Sequence, residues 1–494
     1  MNKRAGLIAG IAAIIAIVLL YMNRSVSILS IELSSPNNIA MNEAIKIVLD
    51  KDERVYVRYW KDGSQEKLRT PLTDRTKEHD IRLLLLEPNT TYHFQVIIDK
   101  LFNVSSREMH FRTREQSSWL VHQWVREDQP HDASTLDSGM VMLCNARLPG
   151  YIAMVDGKGD IRWYWQIDDI GVRAATLTPK GTILAMLRPP MRDVIDDTPK
   201  EEADNLREME KPIRRGALGF AGGTAVAEID LTGKVLWRIN MDTVDGGKHK
   251  VIHHDVRMDK KGNIVLLTRN QKVFDMSNAG GNGIDTLGGD GILVMDNQGK
   301  KIWEWDVWDN WDMEHDPFLK EFAYDRFHMN ALNFDVDSNY LVSVAIEDQI
   351  WKVNKQTGKI MWKLGKNGDF KMDTSYNFSF QHSVHINPDG DLMVFDNSLW
   401  KKLSGAVSFK LDTIQWTATP NIHAMLPPSK YTSRMGSAYV LPNKNLLQCS
   451  SKTGAVMVTD REGKILWQLN CYFVPYRAEY IPASLWNKYR LKDG

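Results

Sequence analysis

The chain has 494 residues, enough for one large domain and a small one. Lys plus Arg and Asp plus Glu balance at 62 each, so nothing in the charge marks a nucleic-acid binder. The three cysteines, Cys144, Cys449 and Cys471, form no C-x-x-C pair, which argues against a cysteine metal site and allows at most one disulfide.

Lys3 and Arg4 precede residues 5–22, a run without a charge that is just long enough to span a bilayer as a helix. No A-x-A-like cleavage site follows, since the next residues read NRSVSILSIEL. Residues 1–24 are therefore expected to be an uncleaved signal anchor, a transmembrane helix with its cationic end in the cytoplasm. The body would then sit in the periplasm, attached to the inner membrane.

Residues 25–115 read as a small β-sandwich. The segments VSILSIEL, AIKIVLD, VYVRYW, HDIRLLLL, TYHFQVIID and EMHFRT alternate with period two between Pro, Asn and Gly turns. The phrase LEPNTTYHF (residues 86–94) resembles the fibronectin type III corner, in which a tyrosine, here Tyr92, bonds back to the chain. Such a module assigns a fold and no function.

From residue 116 to 494 one phrase recurs: a turn of Asp or Asn, Gly and Lys, then a strand carrying Trp. Copies end at Trp163, Trp237, Trp303, Trp362, Trp416 (degenerate) and Trp467. A second phrase, a polar turn and an apolar strand, precedes the later copies: TPKGTILAML, DKKGNIVLLT, DVDSNYLVSV, NPDGDLMVFD and LPNKNLLQCS. Two hairpins per unit and six units predict an all-β chain with a six-bladed β-propeller, because a lone blade cannot cover its own faces. The tryptophans then read as packing between blades. Extra length falls in a charged loop at 188–222, with a possible helix at 200–210, and in a loop at 305–327 rich in Trp, Phe and Tyr.

Aligning the units on the glycine position of the second phrase and counting back eight residues gives Arg173, His254, Asn330, His382 and Gly436. His328 and Arg434 each lie two residues before such a position. Equivalent positions in a propeller form a ring about its axis, and a ring of imidazoles and guanidiniums suits an anion whose charge changes during reaction. A His can serve there as nucleophile or acid and base. His253 and His385, neighbours of His254 and His382, are expected to point away, and His249, His315 and His423 to be surface or loop residues. A three-His metal centre ranks lower, for want of an H-x-H or H-x-x-x-H pair, and no metal or cofactor is expected.

The phrases HHDVRMDKKGNIVLL, DRFHMNALNFDVDSNYLVSV, KVNKQTGKIMWKLG and FQHSVHINPDGDLMVFDN resemble the bacterial arylsulfotransferases that use no nucleotide sulfate donor. The H-x-N, W-x-L-G and Q-H…F-D-N elements are specific in combination, and the resemblance covers most of the chain. It implies a periplasmic ping-pong transfer of a sulfuryl group from an aryl sulfate donor to a phenolic acceptor through a sulfated histidine. By motif, His382 would be that nucleophile. His254 would bind or protonate the bridging oxygen, and His328 and Asn330 would hold sulfuryl oxygens and assist proton transfer. One departure stands out. The family arginine after the H-x-N strand is absent from Ser343-Val344-Ala345, and Arg326 stands where a Trp is common. Arg173 or Arg434, at ring positions, would have to supply that charge in substrate binding.

The alternative is a non-catalytic, membrane-anchored propeller that binds a ligand or protein partner through the funnel and the 305–327 loop. A quinone-cofactor dehydrogenase is weaker, since those propellers are larger. Cys144 and Cys449 fall on comparable strands of the first and last units, so a disulfide and two buried thiols both fit.

Overall fold

The repeated turn phrase folds the same way in copy after copy of this computed structural model. Asp156, Asp230, Asp259, Asp296 and Asp460 each aim Oδ1 back at the N–H groups two and four residues on, at 2.8–3.1 Å. The glycine of the turn takes a left-handed backbone, φ +90° at Gly262 and +85° at Gly390, which a side chain would strain. Each such turn reverses the chain into an antiparallel hairpin, and hairpins in pairs make a four-stranded sheet.

The structure describes residues 26–34, 41–126, 133–189, 222–249, 251–281 and 283–493. The expected anchor at 1–24 and the possible helix at 200–210 lie outside the described residues. Among the described residues no helix is long and apolar enough to cross a membrane.

The chain divides into two compact units, Met1–Ser118 with Ala483–Gly494, and Trp119–Pro482. The last residues therefore belong with the first unit, where Leu491–Lys492 pairs with Leu68–Arg69, and not with the blades as the 116–494 boundary had them. In that first unit Ile28–Ser34, Glu43–Glu53 and Thr76–Leu83 form one sheet. Val55–Lys61 and Thr91–Ile98 centre the other. Alternate residues of both sheets, among them Ile45, Ile47, Val57, Tyr59, Phe94 and Val96, share one core. The Tyr92 hydroxyl accepts from the Glu87 N–H at 2.9 Å.

The second unit holds six antiparallel sheets. The inner strands of blades 2 to 6 are Gly171–Leu177, Ile252–Met258, Met329–Phe334, His382–Ile386 and Ser437–Val440. Blade 1 takes its inner strand, Glu479–Ile481, from the far end of the chain, paired with Met140–Asn145. In return Trp124–Arg126 pairs with Ile465–Cys471 as the fifth strand of blade 6. Each inner strand from blade 2 to blade 6 contacts the next, Ser437–Val440 contacts Glu479–Ile481, and Met140–Asn145 of blade 1 contacts Gly171–Leu177, so the ring is closed. This exchange explains the imperfect first repeat: its inner strand is encoded at the C-terminal end.

Tryptophans bind blade to blade. Trp163 Nε1 of blade 1 donates to Leu231 O in the turn of blade 2 at 2.9 Å, and Trp467 of blade 6 donates to Gly157 O of blade 1 at 2.8 Å. In blade 3 the same role passes to Trp305, which donates to Gly358 O of blade 4 at 2.7 Å, while Trp303 packs on Tyr340. Trp416 of the degenerate copy is 39% exposed and takes no such part. Cys144, Cys449 and Cys471 are all free thiols, with the first two buried.

Candidate active site

Four inner strands break register near their start, between Val172 and Ala174, His253 and Val256, Met329 and Ala331, and His382 and His385. A bulge re-aims side chains, and these four lie at one level of the ring. Non-glycine residues adopt left-handed backbone beside them: His254 (φ +56°), His328 (+50°), Phe380 (+52°), Ser383 (+60°) and Met435 (+61°). Each such residue costs of order 1–3 kcal/mol, which the surrounding packing must hold in place.

The bulges bring the histidines together. The His254 and His328 rings meet edge to face with centroids 4.9 Å apart, and His328 stacks on Phe380 at 5.4 Å. His382 stands 6.1 Å from Phe380, and Tyr476 stands 6.1 Å from His254. The bulges also correct two expectations drawn from plain strand alternation. His253 does not turn away: its Nδ1 meets His254 Nδ1 at 2.8 Å. Nor is His385 a bystander on an outer face, because it is buried against Tyr439 on the inner strand of blade 6. Burial lowers its pKa to about 4.

His382 is held from both sides. Asn397 gives its Nδ2 protons to Thr432 O and Met435 O, both at 2.9 Å, so its Oδ1 must be the atom 2.8 Å from His382 Nδ1. Phe380 O lies 3.1 Å from the same nitrogen. Both neighbours are acceptors, which puts the ring proton on Nδ1 and leaves a lone pair on Nε2. The Met435 N–H donates to that Nε2 at 3.2 Å. Burial, with the nearby charge of His328 and Arg477, pushes the His382 pKa down to about 3, against the Asn397 hydrogen bond. Asn330 packs beside it with Nδ2 at 3.4 Å from His382 Nδ1, and its Oδ1 is buried without a partner.

The other two site histidines are driven apart in acidity. His254 is buried and surrounded by His328, His253 and Arg173, which together hold it neutral, well below the usual imidazole range. His253 Nε2 faces two acceptors, Thr268 O at 3.1 Å and Asp290 Oδ1 at 3.2 Å. His328 is half-buried, but Asp325 outweighs the cost of desolvation and raises its pKa. Asp325 is in turn paired with Arg269 and stays ionised well below the usual carboxylate range. Opposed shifts in neighbouring groups are a common feature of sites that exchange protons.

Arg326, where the resemblance implies a Trp, is buried between Asp316 (2.6 and 2.9 Å) and Glu347 (2.6 Å), against the rings of Trp311, Phe318 and Phe327. It thereby fixes the 305–327 loop that presents Asp325 and His328. Trp308 and Phe327 are buried in the core of blades 3 and 4, with Trp311 packed against it. Trp308, Trp311 and Phe327 are thus packing, while Phe318 and Tyr324 of the same loop are exposed.

Arg173 reaches the ring from blade 2, its guanidinium 4.5 Å from the Tyr476 ring centre. Arg434 is half-buried just before Met435, and its carbonyl accepts from Thr432 Oγ1 at 2.8 Å. Ala345 is buried, and its N–H donates to His328 O. His249 is buried rather than on the surface, while His315 is exposed and paired with Asp312. His423 is exposed and packs on Tyr376. Among the described residues His249, Asp245 and Glu304 make the one cluster with metal-ligand chemistry, but Lys248 and Lys301 already engage both carboxylates.

Four residues of the set were not sequence candidates: Asp325, Asn397, Tyr476 and Arg477. Asp325 and Asn397 lay inside quoted phrases, at D-x-x-H and F-D-N. Tyr476 and Arg477 lie in YFVPYRAEYI, a stretch left over after the sixth unit, and such a remainder beside an incomplete first unit signals ring closure.

The family model for arylsulfotransferases (ASST) matches residues 125–454, well over half of the chain. The chain belongs to the arylsulfotransferase family. The match covers the blades up to residue 454 and leaves outside it the N-terminal unit, the outer strands of blade 6 and the closing strand Glu479–Ile481. No curated protein matches the sequence. Among solved structures, one of unknown function from Bacteroides caccae is 14% identical, with a TM-score of 0.40 over 70% of this chain and 99% of that one. The Cps50 (Swd1) β-propeller domain of Myceliophteria thermophila is 8% identical, with a TM-score of 0.38 over 70% of this chain and 89% of its own. Virginiamycin B lyase from Staphylococcus aureus is 10% identical, with a TM-score of 0.31 over 70% and 98%.

Proposed function

We propose that this family member transfers a sulfuryl group from an aryl sulfate to a phenolic acceptor by way of N-sulfated His382. The observation that carries the reading is the state of His382: neutral, with its proton locked on Nδ1 by Asn397 and Phe380, and its lone pair on Nε2. A neutral imidazole needs no deprotonation before it attacks. A weakly basic one is also a good leaving group from sulfur, so the intermediate stays reactive.

In the first half-reaction the Nε2 lone pair attacks sulfur and the bond from sulfur to the phenolic oxygen breaks. The electron pair leaves on that oxygen and takes a proton from His328, the histidine whose pKa is raised. In the second half the acceptor phenol attacks sulfur and its proton passes to the now neutral His328. The N–S bond breaks and its electron pair returns to Nε2. His254, kept neutral, and the Asn330 side chain, whose Nδ2 lies 3.4 Å from His382, border the sulfuryl group. This division gives the acid and base work to His328 and a binding role to His254.

The test is the intact mass of the protein after incubation with 4-nitrophenyl sulfate. One added sulfuryl group with nitrophenol release, both lost in His382→Ala, is the expected result. A folded protein with neither adduct nor release on any aryl sulfate would favour a non-catalytic binding propeller.

A further inference from the structure

Among the described residues, Arg173, Arg257, Arg269 and Arg477 lie on or beside the inner strands, and three of these four are already neutralised. Arg257 lies 3.1 Å from Asp255 and 3.3 Å from Glu479. Arg477 lies 3.0 Å from Asp255 and 3.8 Å from Glu479. Arg269 pairs with Asp325 and stands 3.6 Å from Asp290. The fourth, Arg173, makes no ion pair among the described residues. Its Nε is buried with no hydrogen-bond partner, its Nη2 lies 3.9 Å from Met435 Sδ, and its only cushion is the face of Tyr476. A half-buried guanidinium without a carboxylate is an incomplete arrangement, because charge taken from water needs a countercharge.

The missing partner has a defined place. The backbone N–H of Met435 points at His382 Nε2, and the side chain of Met435 touches Arg173. His254 completes the enclosure from blade 3, where the charge of Arg173 helps keep it neutral. From these positions we infer that Arg173 and the Met435 N–H form an oxyanion cradle, which takes the oxygens of a tetrahedral sulfuryl group beside His382 Nε2. Blade 2 thus delivers the cation for which blade 4, with the small buried Ala345, has no side chain. A guanidinium suits this work because its fork meets two oxygens at once. When Nε2 bonds to sulfur, the Met435 N–H loses its nitrogen acceptor and gains an oxygen of the same group. The Ala345 departure is then a relocation of the charge, not its loss.

This inference rests on the sulfuryl-transfer reading, so its test uses binding, which needs no chemistry. Inorganic sulfate is titrated by calorimetry into the wild type and into Arg173→Gln, Arg173→Lys and Arg434→Gln, each first checked for a native circular-dichroism spectrum and melting curve. The cradle predicts at least tenfold weaker sulfate binding in Arg173→Gln, a smaller loss in Arg173→Lys, and a loss in Arg434→Gln well below that in Arg173→Gln. Sulfate binding by Arg173→Gln equal to the wild type overturns it, as does a wild type that binds no sulfate. If sulfate binding depends on Arg173 but no His382 adduct forms from 4-nitrophenyl sulfate, the cradle stands and the transferase reading falls.

Discussion

His328 Nδ1 lies 2.6 Å from Oδ2 of Asp325, three residues earlier in the chain, and the left-handed backbone at His328 folds the ring back onto that carboxylate. Asp325 is itself anchored by Arg269, so it cannot follow the ring if the ring moves. The contact fixes the Nδ1 proton and leaves Nε2 as the nitrogen available for the proposed proton transfer.

Asp325→Asn removes the countercharge but keeps the size. Desolvation and the Arg269 charge then act on His328 against Asp290 alone, and its pKa falls. In the wild type the nitrophenol burst should fall as pH rises through the raised His328 pKa, since the acid form donates the proton. In Asp325→Asn that alkaline limb should move down by about one unit or more, with a burst about 10–100-fold slower near pH 7.5. A limb at the same pH in both proteins would refute the assignment of His328 as the acid.

Asn397 governs the nucleophile in a different way, through the tautomer. Asn397→Ala deletes the 2.8 Å acceptor and leaves only Phe380 O to hold the Nδ1 proton of His382. It also removes a donor from Met435 O, while Thr432 O keeps the Ser404 hydroxyl at 3.0 Å. Losing one buried hydrogen bond to the ring is worth about 1–2 kcal/mol, so adduct formation should slow by about 5–30-fold. Nitrogen NMR of the His382 ring should show the second tautomer gaining population. A single unchanged tautomer together with a slower rate would point to a folding defect instead.

The outline of the blades could be read from the sequence because it rests on local rules. An Asp side chain that caps its own turn and a glycine that enters left-handed space recur wherever the phrase recurs. The ring of site positions followed from the same repeat: counting from one glycine placed Arg173, His254 and His382 at one level. What could not be read was anything set by a bulge. Alternation placed His253 and His385 on the wrong face, since one extra residue reverses every side chain beyond it. Closure was hidden for another reason. The inner strand of blade 1 lies more than 300 residues from its partner Met140–Asn145, and no local pattern records that pairing.

Ring closure yields its own prediction. Arg477, just before the closing strand, is 4% exposed at its side chain and lies 3.0 Å and 3.1 Å from the two oxygens of Asp255 on blade 3, with a further bond to His254 O. Arg477→Ala would leave a buried, half-compensated carboxylate and unfasten the last strand from the axis. The expected loss is about 3–5 kcal/mol, read as a lower urea midpoint. Pairing it with Asp255→Leu should recover part of that loss, because no charge is then left stranded. A single variant as stable as the wild type would show that the closing strand is held by its ladder alone.

Asp396 sits between the strand of blade 5 and Asn397, buried, and accepts from Ser379 N at 2.9 Å and Ser398 N at 2.8 Å. Burial raises its pKa to about 7 in spite of both bonds. A carboxyl raised in the folded state favours folding while it is protonated. That contribution is full below the unfolded value of about 4 and is lost as pH climbs to about 7, because the unfolded chain releases the proton first. Asp396→Asn keeps one acceptor oxygen for both N–H groups and has no proton to lose. The melting temperature of the wild type should therefore fall between pH 5 and pH 8 by more than that of the variant, the two differing by roughly a few degrees. Parallel curves over that range would mean that Asp396 is ionised in the folded protein throughout, and that its two N–H donors compensate the charge in full.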